Sequence, residues 1–255
     1  MEVAESEFMQ QLSQKGVRWL SLFSLFSLFS LSRTRLAVFA VALLVTLLPL
    51  PTPLVGVATA ATVQPHPSAP IILVLGDSLS AGFGLEQDKG WVSLLQQQLQ
   101  VKHYPHRVIN ASISGETTQG GANRIGQLLA RYKPNIVLVE LGGNDGLRGL
   151  PLDVIRTSLA NIIKTVRARA IHCVLIGMRL PPNYGPQYTQ GFARLYQDLA
   201  KQYHVPLVPF LMQGFASNFQ LIQGDGIHPT EAAQPLMLGN VWPILLPILG
   251  SRHNH

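Results

Sequence analysis

Charge is scarce in this chain: 13% of its 255 residues are Asp, Glu, Lys or Arg, against about 25% in an ordinary globular protein. Bases outnumber acids, 19 to 13, for a net charge of +6. No Lys/Arg-rich block accompanies that excess, so no nucleic-acid partner is expected. With 47% hydrophobic residues, a disordered acidic chain is also excluded. Cysteine is nearly absent. Cys173 stands alone, which rules out a disulfide scaffold. Its setting, Cys173-Val174-Leu175-Ile176, predicts a buried small hydrophobe. Several site motifs are missing as well. There is no G-x-x-x-x-G-K-[ST] and no H-E-x-x-H, and Gln87 stands where a dinucleotide fingerprint beginning at Gly82 would need its third glycine. The G-x-S-x-G elbow is also lacking, because Gly76-Asp77-Ser78-Leu79-Ser80 ends in serine.

What is present falls into two parts. Residues 1–60 read as a leader. Leu20–Ser32 is an uncharged Leu-Ser-Phe repeat, Arg33 and Arg35 follow, and Leu36–Leu48 is apolar until Pro49, Pro51 and Pro53 break it. The run is short for a membrane span, which needs about 20 residues. Ala58-Thr59-Ala60 supplies the small residues of a signal-peptidase site. Export with cleavage near Ala60 is the expectation, and an uncleaved membrane anchor the alternative. A Pro/Ser linker over 61–70 leads into one domain over 71–250.

In that domain, short apolar runs alternate with helix-like stretches. Ile71–Leu75, Val108-Ile109, Ile136–Leu141, Cys173–Ile176 and Val205–Val208 suit strands buried on both faces. Helices are expected over Trp91–Val101, Gln119–Tyr132, Leu152–Ala170, Tyr188–Tyr203 and, with prolines inside it, Glu231–Leu249. The alternation predicts an α/β fold around a central parallel sheet of about five strands. Ligands of such sheets bind beyond the carboxyl ends of the strands. The residues there are Gly76-Asp77-Ser78, Ser114-Gly115, Gly142-Gly143-Asn144-Asp145 and Arg179, with Asp225-Gly226-Ile227-His228-Pro229 before the last helix.

Those residue types form a set for acyl transfer. Ser78 is a candidate nucleophile, although Asp77 or Ser78 alone would equally serve as a helix N-cap. His228 is the candidate base. Asp225, three residues earlier, can reach its Nδ1 and hold the tautomer that leaves Nε2 free, or can simply close an Asx turn. Negative charge developing on the substrate needs donors. The N–H groups of Ser78 and Gly115 and the amide of Asn144 are the candidates, against ordinary turn roles. Gly146, Leu147, Arg148 and Leu150 on one side, and Leu180 with Pro181 on the other, are the candidate walls of an acyl groove, with Arg148 more a loop-pinning cation than a headgroup contact.

Gly-Asp-Ser-Leu-Ser, Gly115 in Ser-Gly-Glu, Gly-Gly-Asn-Asp and Asp-x-x-His, in this order, resemble the four sequence blocks of the SGNH (GDSL-type) hydrolases. Asn110–Glu116, Val139–Leu150 and Arg179-Leu180-Pro181 are most similar to the family's periplasmic multifunctional thioesterase, protease and lysophospholipase branch. The resemblance runs from about Ile71 to Leu249. It implies a three-layer α/β/α, flavodoxin-like SGNH fold, a periplasmic location and a serine hydrolase of acyl esters and thioesters that uses Ser78, His228 and Asp225, with Ser78, Gly115 and Asn144 as the oxyanion hole. It implies no metal and no cofactor. It also implies that Gly146–Pro151 is a mobile loop over the acyl chain and that Leu180 lies in the groove. The expected partner is a small acyl ester or thioester, with contact to a lipid surface also open. A short-chain acetylesterase and a non-catalytic binding protein on the same scaffold are the alternatives. Nothing in the sequence sets an oligomeric state.

Overall fold

The computed structural model describes residues 69–250. The leader over 1–60, most of the 61–70 linker and the tail from Ser251 lie outside the described residues. Five strands form one parallel sheet: β1 (Ile71–Gly76), β2 (Arg107–Asn110), β3 (Ile136–Glu140), β4 (His172–Ile176) and β5 (Leu207–Val208), in the order β2-β1-β3-β4-β5. Ile72 to Leu75 and Val137 to Val139 are fully buried. Each such side chain contributes about 1.5–3 kcal/mol relative to exposure. The carboxyl ends of β1 and β3 therefore rest on the best-packed part of the molecule. Cys173 is buried in β4, as its apolar run implied, and burial pushes its thiol up to about 12.

Seven α-helices are described: α1 (Ser78–Ala81), α2 (Trp91–Val101), α3 (Thr118–Tyr132), α4 (Gly143–Leu147), α5 (Leu152–Arg167), α6 (Pro186–Tyr203) and α7 (Gln234–Leu245). Helix α2 packs on α7, while α3 packs on α5 and α5 on α6. These two groups cover the sheet and complete the three layers. The expected strand over Val205–Val208 shrinks to Leu207–Val208 for a local reason. Val205 N–H closes the end of α6 on Ala200 O, and Pro206 has no N–H to give to a sheet. Helix α5 stops at Arg167, short of the expected Ala170, whose φ of 56° turns the chain toward β4. The closing stretch is divided. Glu231–Ala233 and Leu246–Ile248 are 3-10 turns that flank α7, and Pro235 sits in its first turn, where a missing N–H costs nothing.

Strand order reverses between β1 and β3, which is the topological switch point of such a sheet. Their register pairs Gly76 with Glu140. This sets the turn after β1, carrying Asp77 and Ser78, beside the turn after β3, carrying Gly142 to Asn144.

Candidate active site

The turn after β1 is held at its root. Asp77 caps α1 through its carboxylate, which accepts from Leu79 N–H at 3.0 Å. Helix α1 is one turn long and ends on Gly82 at φ 77°. Asn110, at the end of β2, donates from Nδ2 to Ser80 O at 2.7 Å and ties the turn to the neighbouring strand. Capping and nucleophile roles were rivals in the sequence. Here they fall on adjacent residues: Asp77 caps, and Ser78 Oγ remains available at the cleft. Burial is the main reason the Asp77 carboxyl is raised to about 6, with the Leu79 N–H working against it.

His228 and Asp225 arrive together on one loop. His228 Nε2 stands 2.8 Å from Ser78 Oγ, and His228 Nδ1 stands 2.6 Å from Asp225 Oδ2. The other carboxylate oxygen, Oδ1, accepts the N–H groups of Ile227 at 2.9 Å and His228 at 3.0 Å. The Asx turn is thus present as well, and it aims the carboxylate at the ring. Phe83 lies against the imidazole with ring centroids 4.5 Å apart. Gln223 closes this loop and ties it to the turn after α1: its N–H donates to His228 O at 2.7 Å and its Nε2 to Pro229 O within the loop, and the same Nε2 donates to Phe83 O outside it.

The Asp225 carboxyl is lowered from 3.8 to about 2, first by the His228 N–H and then by the His228 ring and the Ile227 N–H. A carboxyl with a depressed folded-state value stabilises the fold above its unfolded value and loses that contribution as pH falls toward the folded one. Wild type should therefore melt above Asp225→Asn from about pH 4 upward, with the gap closing between pH 3.8 and about 2. Thermal melts of both proteins at pH 6 and pH 2 check this, and a gap undiminished at pH 2 contradicts it.

The residues of the three candidate donors, Ser78, Gly115 and Asn144, line one cleft. Gly115 has φ 80°, a backbone that favours glycine. Among the described residues, no acceptor takes the N–H of Gly115 or of Ser78. The loop carrying Gly115 is pinned from several sides. Arg124 Nε donates to Glu116 Oε2 at 2.6 Å and its Nη1 donates to Ala111 O at 2.6 Å, while Arg148 Nη2 donates to Gly115 O at 3.4 Å. Asn144 Nδ2 donates to Glu116 O at 3.0 Å and to Asp77 Oδ2 at 3.2 Å. Asp145 anchors the same turn to the start of α3, accepting from Thr118 N–H at 2.9 Å and Thr118 Oγ1 at 2.6 Å.

A cleft of about 710 Å³ opens at Ser78, Gly115, Asn144 and His228. Of the expected groove residues, Leu147, Leu180 and Pro181 line it. Gly146, Arg148 and Leu150 are not among its lining residues. A Cβ on Gly146 would come within 2.7 Å of Leu180 Cδ2 and 2.8 Å of Phe192 Cε2, so this glycine lets Leu180 pack close. Leu150 packs on the core, and Arg148 pins Gly115. The opposite wall went unread in the sequence. It comes from Phe83 and from the segment after β5, through Phe210, Met212, Phe219, Ile222 and Ile227. The available signal was a set of spaced apolar residues in an otherwise polar stretch that begins at a strand's carboxyl end. Arg179, also in the lining, lays its guanidinium over the Phe210 ring at 5.2 Å.

Comparison with known proteins agrees with this geometry. Residues 74–235 match the model of the GDSL-like Lipase/Acylhydrolase family. Esterase TesA of Pseudomonas aeruginosa is 48% identical over 182 residues, which cover 71% of this chain and 90% of that protein. Thioesterase 1/protease 1/lysophospholipase L1 of Escherichia coli K12 is 44% identical over 170 residues, covering 67% of this chain and 80% of that protein. The crystal structure of TesA superposes with a TM-score of 0.69 at 48% identity, over 70% of this chain and 99% of the solved one.

Proposed function

Since the chain belongs to the GDSL-like lipase/acylhydrolase family and hydrolyses ester bonds, we propose that it does so through an acyl-enzyme on Ser78. The carrying observation is the 2.8 Å approach of His228 Nε2 to Ser78 Oγ, with Asp225 behind the ring and an apolar cleft in front. Ser78 Oγ attacks the acyl carbonyl as His228 Nε2 takes its proton. Asp225 holds the Nδ1–H and stabilises the imidazolium. The carbonyl oxygen, now negative, accepts from Ser78 N–H, Gly115 N–H and Asn144 Nδ2, one hydrogen of Nδ2 leaving its present acceptor. When the tetrahedral species collapses, the alcohol or thiol departs with the proton from His228. Water then gives a proton to His228 and attacks the acyl-enzyme. The second collapse returns that proton to Ser78 Oγ and frees the carboxylic acid. Covalent labelling of Ser78 by a fluorophosphonate probe tests the reading.

For substrate class, we favour acyl esters and thioesters with chains longer than acetyl. The names esterase and thioesterase/lysophospholipase carried by the relatives support this. So does a cleft whose walls are largely Leu, Met, Phe and Ile. A buried methylene contributes about 0.8 kcal/mol, and a half-solvated groove roughly half of that. Lengthening a p-nitrophenyl ester from four to eight carbons should therefore raise kcat/KM roughly 10-fold. The measurement is kcat/KM for chains of two to twelve carbons. Highest activity on acetate, falling steadily with length, would instead favour a short-chain acetylesterase.

Contact with a lipid surface fits the same reading. Phe219 is 85% exposed and Phe83 50% exposed, and both line the cleft. Export is proposed from the leader alone, with its basic residues, apolar run and Ala58-Thr59-Ala60 site.

A further inference from the structure

Glu140 is an acid in a place where the proposed chemistry has no use for one. It ends β3 fully buried, and among the described residues it has no ion-pair partner. Its Oε2 accepts from Ser80 Oγ at 2.6 Å and from Asp77 N–H at 3.3 Å. Its Oε1 meets no donor. The carboxyl group of Asp77, the residue whose N–H it accepts, is buried as well and pushes the Glu140 carboxyl up through its charge and as a hydrogen-bond partner. Room for this is made by Gly76, where a Cβ would fall 2.8 Å from Glu140 Oε2 and 2.7 Å from Ser80 Cβ.

Two buried carboxyl groups in contact, without a cation, cannot both stay ionised. One proton between them turns an acceptor-to-acceptor contact into a hydrogen bond. Asp77 already spends both oxygens as acceptors, Oδ1 for Leu79 N–H and Oδ2 for Asn144 Nδ2. The proton therefore belongs on Glu140. The other titratable groups that act on the pair are Asp145, Tyr196 and His228. Asp145 is engaged with Thr118, Tyr196 donates its hydroxyl to Leu141 O, and His228 is engaged with Asp225 and Ser78. Burial pushes the Glu140 carboxyl well above the ordinary carboxylate range, and the Asp77 charge pushes it further.

We propose that Glu140 is a positioning residue for the oxyanion hole: held as a neutral acid, it donates to the Asp77 carboxylate and fixes that carboxylate as the anchor that aims the Asn144 amide. This rests on Asn144 serving as an oxyanion donor. Through Ser80 and the Asp77 N–H, the same group also sets the nucleophile turn against the end of β3. One buried carboxylic acid thereby holds the serine and the asparagine at a fixed separation.

The test combines infrared spectroscopy with kinetics on the full chain. Wild type at neutral pH should show the carbonyl stretch of a protonated, buried carboxylic acid, and Glu140→Gln should lack it. No such band in wild type, or a band that survives in Glu140→Gln, overturns the proposal. Glutamine can donate to Asp77 and still accept from Ser80, so Glu140→Gln should keep kcat within about threefold. Glu140→Ala should lower kcat by about 10- to 100-fold with KM little changed, part of the loss for one oxyanion donor. In the Glu140→Ala background, Asn144→Ala should cost much less than it does in wild type, because the amide is no longer aimed. Unchanged kcat in Glu140→Ala, a loss confined to KM, or full additivity with Asn144→Ala overturns it. Should Glu140→Ala not fold, a 100-fold kcat loss in folded Glu140→Gln overturns it equally. Failure of the serine mechanism would show separately, as turnover that survives Ser78→Ala, and would leave the infrared result standing.

Discussion

Ser78→Ala is expected to abolish fluorophosphonate labelling and to lower kcat on a p-nitrophenyl ester by on the order of 10⁴- to 10⁶-fold. At about 1.36 kcal/mol per tenfold, that is roughly 5–8 kcal/mol of transition-state stabilisation. The fold should barely register the change. Ser78 loses one hydrogen bond, to His228 Nε2, at a half-buried site. A net hydrogen bond is worth about 0.5–1.5 kcal/mol, which moves Tm by only a few degrees in a domain of this size. The two magnitudes separate a chemical role from a structural one. Near-normal kcat in a folded Ser78→Ala protein would dismiss Ser78 as nucleophile. A kcat loss matched by a collapse in Tm would make it structural.

Asn144→Ala is expected to cost about 10²–10³ in kcat, the scale for removing one oxyanion donor. KM should move little, because the amide engages the carbonyl oxygen most strongly once it is negative. This variant also disturbs the resting protein. Asp77 Oδ2 and Glu116 O both lose a donor, and one of them belongs to a buried carboxylate. Each orphaned acceptor costs about 1–3 kcal/mol where water cannot reach it. A lower Tm should therefore accompany the kcat loss. Steady-state kinetics with a short and a long ester, alongside a thermal melt, checks both. A change confined to KM would make Asn144 a substrate-binding residue instead.

The sheet was legible because parallel strands buried on both faces must be continuously apolar, and Ile71–Leu75, Ile136–Leu141 and Cys173–Ile176 are. Helix α2 fell on its expected bounds because Trp91, Leu95 and Leu99 repeat at helical spacing and are all fully buried. Helices α1 and α4 were not legible, since four or five residues carry no periodicity. The candidate polar groups could be found because chemistry of this kind collects at strand ends, and Ser78, Asn144 and the Asp225–His228 loop do converge there. The groove was only half readable. Leu147 and Leu180 sit beside the motifs, whereas Phe210, Met212 and Phe219 come from a segment that no local pattern links to Ser78. Glu140 left one trace, a charge at the end of an apolar strand. Its partner Asp77 is 63 residues away in sequence, a pairing set by the β1–β3 register alone.

The hydrogen bonds of Gln223 divide the machinery between two carriers. Ser78, Gly115 and Asn144 ride on turns rooted in β1, β2 and β3. The base and its acid ride on a loop outside the sheet, closed on itself by the Gln223 N–H to His228 O and the Gln223 Nε2 to Pro229 O, and tied to the turn after α1 by the same Nε2 to Phe83 O. A peripheral loop opens at lower free-energy cost than a central strand. The protein can thus lose its base while the electrophilic half stays assembled. On warming, activity is expected to fall first, as the Asp225–His228 loop lifts, and the sheet to melt later. The temperature limit for activity is then expected to lie below that of the core.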